Sequence, residues 1–143
     1  MGARREGREA AVQFLYQRDL NAGATAETVE EFWELRPAAK RVREFGLAIA
    51  EGVLAHQDAI DERIRQAASN YDLHRIAAVD RNILRIAIFE MLFCPEVPPV
   101  VSINEAIEIA KRFGSDDSGR FVNGVLDRIR GELSRPPRAA QTE

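Results

Sequence analysis

Two groups of residues could do chemistry without a cofactor, and both are built on arginine. Arg4, Arg5 and Arg8 open the chain. Positions 4, 8, 11, 15 and 18 share one face of an α-helix, so Arg8 continues the apolar line of Ala11 and Leu15. A helix beginning near Arg5 would add its unpaired amides to the guanidinium charge and make a phosphate site. The alternative is a helix end in which Arg8 pairs with a glutamate on another helix. The second group surrounds Phe121, flanked by Arg120 and, two turns on, by Arg128. With the inward direction of that segment set by Val125, Leu126 and Ile129, Phe121 lies about 90° off it. An aromatic side chain so placed is half exposed. It could stack on an unpaired base while the arginines hold phosphates, or it could be a phenylalanine at the edge of the core. Tyr16 lies similarly off the Leu15 direction of the first helix.

Enzymatic signatures are missing. No glycine-rich phosphate loop, dinucleotide fingerprint, serine elbow or cysteine pair at metal spacing occurs. His56 and His74 are the only histidines and lack an evident carboxylate partner, so the sequence points to no catalytic residue, no metal and no cofactor. Cys94 is the only cysteine, which excludes an internal disulfide and suits a small apolar group. The formal charge of −3 does not advertise a nucleic-acid binder. Its distribution does more: arginines concentrate at the two ends, and Glu27, Glu30, Glu31 and Glu34 form an acidic stretch between them.

These groups must be held by helices. The six prolines fall only between or after stretches of helical periodicity. Arg8 to Asp19 reads as one amphipathic helix, and Thr25 can cap a short acidic one reaching Trp33. Val42, Phe45, Ile49, Val53, Ile60 and Ile64 mark one long helix or two nearly collinear ones, with Gly46 and Gly52 suggesting close packing. Val79 to Phe93 is apolar round its whole circumference, the mark of a central helix, so Glu90 on it must be buried with a cation or hydrogen-bond donors. Ser102-Ile103-Asn104-Glu105 has the spacing of a capping box. Gly114 stops that helix, and Asp116 or Asp117 can cap the last one. The expectation is an all-α domain of six or seven helices over residues 1–133, with 134–143 as a loose tail. With 143 residues, 45% hydrophobic and 30% charged, the chain has the composition of a soluble domain. It lacks a membrane span or a signal-peptide core, so a cytoplasmic location is expected.

Four blocks resemble the NusB family of transcription antitermination and ribosomal-RNA synthesis factors. They are Arg-Arg-Glu-Gly-Arg-Glu-Ala-Ala-Val-Gln-Phe-Leu-Tyr from Arg4 to Tyr16, Val-Asp-Arg-Asn-Ile-Leu-Arg-Ile-Ala-Ile-Phe-Glu from Val79 to Glu90, Ile-Asn-Glu-Ala-Ile-Glu-Ile-Ala-Lys from Ile103 to Lys111, and Phe-Val-Asn-Gly-Val-Leu-Asp from Phe121 to Asp127. The resemblance implies two small helical bundles packed at a steep angle and a function without catalysis. It implies pairing with the small-subunit ribosomal protein that doubles as NusE, and binding of single-stranded boxA RNA in ribosomal RNA leaders. Other antitermination factors and RNA polymerase would be engaged indirectly. Carried over, Arg4, Arg5, Arg8, Asp117, Arg120 and Phe121 are RNA-facing, and Tyr16 and Asp80 face the protein partner, with Asp80 expected on the surface. Glu6 and Gly7 depart from the family's usual Arg and Ala, which puts an acid in the basic run and weakens the helix by about 1 kcal/mol. RNA affinity without the partner is therefore expected to be low. The domain also resembles an N-terminal extension of certain ribosomal-RNA cytosine methyltransferases, a reading that requires a catalytic domain after Glu143. A helical interaction protein, or a homodimer, without an RNA role is the other alternative.

Overall fold

The computed structural model describes residues 2–20, 31–34, 36–69 and 71–134, and no described residue lies in a strand. Proline and local hydrogen bonding set most element boundaries. Helix α1 spans Ala3–Leu20 and so begins five residues before the expected start at Arg8. The first turn is closed by the Glu6 amide donating to Gly2 O at 3.2 Å. Residues 31–34 are helical, with Phe32 and Trp33 buried, while Thr25 and its expected cap lie outside the described residues. Helices α2 (Lys40–Ala55) and α3 (Gln57–Ala67) are separate elements. They break at His56, whose φ of −119° and ψ of 20° leave the helical region and whose amide donates to both Gly52 O and Val53 O.

Helices α1 and α2 meet through glycines. A Cβ on Gly46 would stand 2.8 Å from Gly7 O, and one on Gly7 would stand 2.6 Å from the Phe45 ring. Gly7 is thus a contact requirement as well as a cost to the helix. Gly52 has the same role toward the helix that carries Phe89, whose ring a Cβ would run into.

A 3-10 turn at Leu73–Arg75, capped by the Asp72 carboxylate accepting from the His74 amide at 3.0 Å, leads into α4 (Ala78–Phe93). As its all-round apolar surface requires, α4 packs against every other long helix, with Ile83, Leu84 and Ile88 at most 1% exposed. It links α1 and α2 to α3 and to the two helices that follow it, Pro99–Phe113 and Ser118–Ser134.

Helix α5 (Pro99–Phe113) corrects the capping-box expectation. The fixed φ of Pro99 suits the first helical position, and the amides of Val101 and Ser102 already donate to Pro98 O. Ser102 therefore lies inside the helix, its Oγ buried without a hydrogen-bond partner, and Glu105 is free for the task described below. Gly114 ends α5, its amide donating to Ala110 O at 2.8 Å. Helix α6 (Ser118–Ser134) reaches one residue into the expected tail, and 135–143 lie outside the described residues. At its start the Ser118 hydroxyl, instead of an aspartate carboxylate, accepts from the Ser115 amide at 2.9 Å. Asp117 contributes its carbonyl, which takes the Phe121 amide at 3.0 Å.

Candidate nucleic-acid interface

The structure separates the three N-terminal arginines. Arg8 is 3% exposed and closes a two-pronged pair with Glu90, which is 2% exposed. Arg8 Nε donates to Glu90 Oε1 at 3.0 Å and Nη2 to Oε2 at 2.8 Å. This supplies the cation that Glu90 needs. Arg5 makes the same fork with Glu105, at 2.9 and 2.6 Å, and Arg8 Nη1 lies 3.7 Å from Glu105 Oε1. The hydrogen bond from Arg5 holds the Glu105 carboxyl below the usual carboxylate range. Burial opposes that shift, and the charges of Arg5 and Arg8 reinforce it. Both guanidinium groups thus tie the start of α1 to α4 and α5. Arg8 cannot meet a phosphate while this pair is intact, and Arg5 is largely committed. Arg4 is exposed, its guanidinium carbon 5.6 Å from the centre of the Phe45 ring.

At the start of α6 the expected residues come together in the open. Phe121 is half-buried, as its helical phase requires, and Arg120 is 88% exposed. The Asp117 carboxylate, 85% exposed, lies 4.0 Å from Arg120 Nη1. Sequence reasoning missed Tyr71, which follows α3 and meets the Phe121 ring edge-to-face, with centroids 5.3 Å apart and planes at 76°. Beside this pair is an open cavity of about 200 Å³, lined by Ala67, Ser69, Gly124 and Val125 and rimmed by Arg120 and Arg128. Arg128 is anchored there, Nη1 donating to Ala67 O at 2.6 Å. Aromatic faces, a recess and exposed cations can accept an unpaired base and its phosphates.

Tyr16 and Asp80 have different surroundings. Tyr16 is half-buried on the wall of a cavity of about 510 Å³, together with Val12, Gln13, Phe32 and Val79. Asp80 is 8% exposed, against the expectation of a surface position, and its Oδ1 is buried without a hydrogen-bond partner. It stands in the first turn of α4, where the helix dipole favours a carboxylate, and the elements that pack around α4 cover it.

A second ionic network went unread in the sequence. Arg85, 5% exposed, grips Asp61 of α3 with Nε and Nη2 at 2.8 and 3.0 Å, and Asp19 of α1 with Nη1 at 2.9 Å. Arg81 donates to Asp19 at 2.9 Å and to the carbonyls of Leu73 and Ile76, and the Asn82 amide donates to Asp19 at 3.0 Å. Partial burial pushes the Asp19 carboxyl up, yet the Arg81 hydrogen bond, the Arg85 charge and Asn82 together hold it below its ordinary range. The signal was available, because Arg85 is a charge on the same all-apolar helix that revealed Glu90. Among the described residues no group of His, Cys, Asp and Glu is placed to hold a metal, and no helix is long and apolar enough to cross a membrane.

A profile described as the NusB family matches residues 5–130. The transcription antitermination protein NusB of Desulfotalea psychrophila is 50% identical over 136 residues, covering 91% of this chain and 96% of that protein. That of Myxococcus xanthus is 43% identical, covering 95% and 100%. Among solved structures, T. maritima NusB superimposes with a TM-score of 0.80 at 34% identity, covering 98% of this chain and 97% of that one. A crystal structure of antitermination factors NusB and NusE in complex with dsRNA gives a TM-score of 0.83 at 26% identity, covering 92% and 98%.

Proposed function

The chain belongs to the NusB family, and on that premise we propose that it is a transcription antitermination factor that pairs with the NusE-type small-subunit ribosomal protein and binds boxA RNA of ribosomal RNA leaders. The observation that carries this reading is likeness over nearly the whole chain to proteins named for antitermination. The pairing of half-buried Phe121 with exposed Tyr71 beside Arg120 supports it, since stacking surfaces next to cations suit single-stranded RNA. The role is binding and not catalysis, exercised in the cytoplasm where transcription takes place, with other antitermination factors and RNA polymerase engaged through the assembled complex. Residues 1–133 act as one RNA- and protein-binding domain.

In this reading Phe121 and Arg120 take the RNA, and Arg4 adds a phosphate contact from the other end of the sequence. Asp117 places a negative charge beside the RNA, and Arg5 lies at the margin of the basic surface. Arg8 acts at one remove, by fixing the first turn of α1. Tyr16 and Val79 form the partner-facing side, with the cavity they line as its apolar centre, and Asp80 acts from beneath that surface at the start of α4.

The test is a fluorescence titration of boxA-type single-stranded RNA with this protein, with and without the NusE-type partner, using a duplex of the same sequence as competitor. Tighter binding with the partner present, and poor competition by the duplex, is the expected result. Absence of binding under both conditions at low salt would remove the RNA role and leave a protein-interaction module.

A further inference from the structure

We infer that the cavity between the end of α3 and the start of α6 is a seat for a single unpaired nucleobase, with Tyr71 as its second aromatic wall and Gly124 as the residue that keeps it open. The inference rests on the RNA-binding reading above and adds to it the place where one base is held.

Gly124 is exposed in the interior of α6, where glycine costs about 1 kcal/mol relative to alanine. Nothing in the fold asks for glycine there. A Cβ built on it meets no atom within 4 Å, unlike those on Gly7, Gly46 and Gly52, which run into neighbouring helices. Gly124 is one of the residues that line the cavity. A side chain at position 124 would add bulk at the wall of the recess without meeting the core.

The other walls suit a flat heterocycle. Phe121 and Tyr71 stand nearly at right angles, so a base stacked on one ring turns its edge toward the face of the other. Tyr71 is 55% exposed, a large apolar area to leave in water unless something covers it. Ala67, Ala68 and Val125 supply an apolar floor, and the exposed Ser69 hydroxyl is a polar group within the lining that can donate to or accept from a base edge. Arg128 is held by Ala67 O, and Arg120 projects into solvent, so the rim carries one fixed and one adaptable cation for the flanking phosphates. At about 200 Å³ the recess suits one base and not a stacked run.

Gly131 provides the control. It is exposed on the same helix, and a Cβ there also meets nothing within 4 Å, but it does not line the cavity. Gly124→Leu and Gly131→Leu should both fold, because leucine is the better helix former. The probe is a fluorescein-labelled single-stranded boxA-type RNA, titrated at low salt against the protein with its NusE-type partner present. Gly124→Leu should weaken binding about tenfold, within the range for loss of one stacked base, while Gly131→Leu matches the unsubstituted protein. Tyr71→Ala should show a comparable loss, and Tyr71→Phe should restore affinity. Equal binding by the two leucine variants, or full affinity in Tyr71→Ala, would overturn the base seat while leaving RNA binding in place. Failure of the unsubstituted protein to bind would overturn the RNA reading itself.

Discussion

The start of α1 and the start of α6 both carry arginines beside aromatic rings, and both read as basic from the sequence. At α1, Arg8 and Arg5 are clasped by Glu90 and Glu105, and Arg8 also lies 5.4 Å from the Phe45 ring centre, almost without exposure. At α6, among the described residues, Arg120 faces only the exposed carboxylate of Asp117 at 4.0 Å, and of the nearby rings Phe121 is half-buried and Tyr71 exposed. A guanidinium is available to a phosphate only where no carboxylate from a distant helix already matches its fork. One end spends its arginines on holding helices together, and the other presents them.

The largest expected effect breaks the α1 side of this comparison. Arg8→Ala should destabilise the protein by about 3–5 kcal/mol in urea unfolding, because Glu90 is left buried without its cation. A loss below about 1 kcal/mol would mean that Glu90 is hydrated and the pair is peripheral. On the α6 side, Phe121→Ala should weaken RNA binding by about 1–3 kcal/mol while stability changes far less than in Arg8→Ala. Unaltered RNA affinity would take the aromatic corner out of the interface.

A smaller effect sharpens the difference through pH. The folded-state carboxyl of Glu105 is held below its unfolded value, so its contribution is fully present above the ordinary carboxylate range and is lost as pH falls through the depressed value. Glu105→Gln should therefore reduce stability at pH 7 by at most about 1 kcal/mol, and the difference from the unsubstituted protein should vanish in acid. A difference that persists unchanged at acid pH would assign the loss to packing. The smallest effect belongs to Asp117→Asn. Removing a nearly fully exposed charge beside the proposed RNA surface should tighten binding severalfold at low salt, an effect that fades as salt rises, with the backbone cap preserved. Weaker binding in this variant would place Asp117 in a direct contact.

Much of this was legible from helical phase alone. The circumference of α4 disclosed a central helix and the burial of Glu90, and the angle of Phe121 from the Val125 direction disclosed its half exposure. Partners were not legible, because Arg8 and Glu90 are 82 positions apart and periodicity carries no information across helices. For the same reason Arg8 looked like a phosphate ligand, and the Asp19, Asp61 and Arg85 network went unread. The capping box misled because its spacing competes with Pro98 and Pro99, and proline's fixed backbone geometry overrides a side-chain cap. Local sequence shows Asp80 at a helix start and not the elements that bury it. Tyr71 carried no periodic signal, since it follows the end of α3.

The most direct test of the division between the two ends is the salt dependence of RNA binding. Arg8→Met with Glu90→Leu removes the buried pair without leaving a charge unpaired, whereas Arg4→Ala with Arg120→Ala removes two exposed cations. The log-log slope of affinity against salt should stay unchanged in the first double variant and become shallower by about 0.7 per lost phosphate contact in the second. A shallower slope in the Arg8 and Glu90 variant, with an unchanged slope in the Arg4 and Arg120 variant, would contradict the account and place the phosphates on the arginines assigned here to the fold.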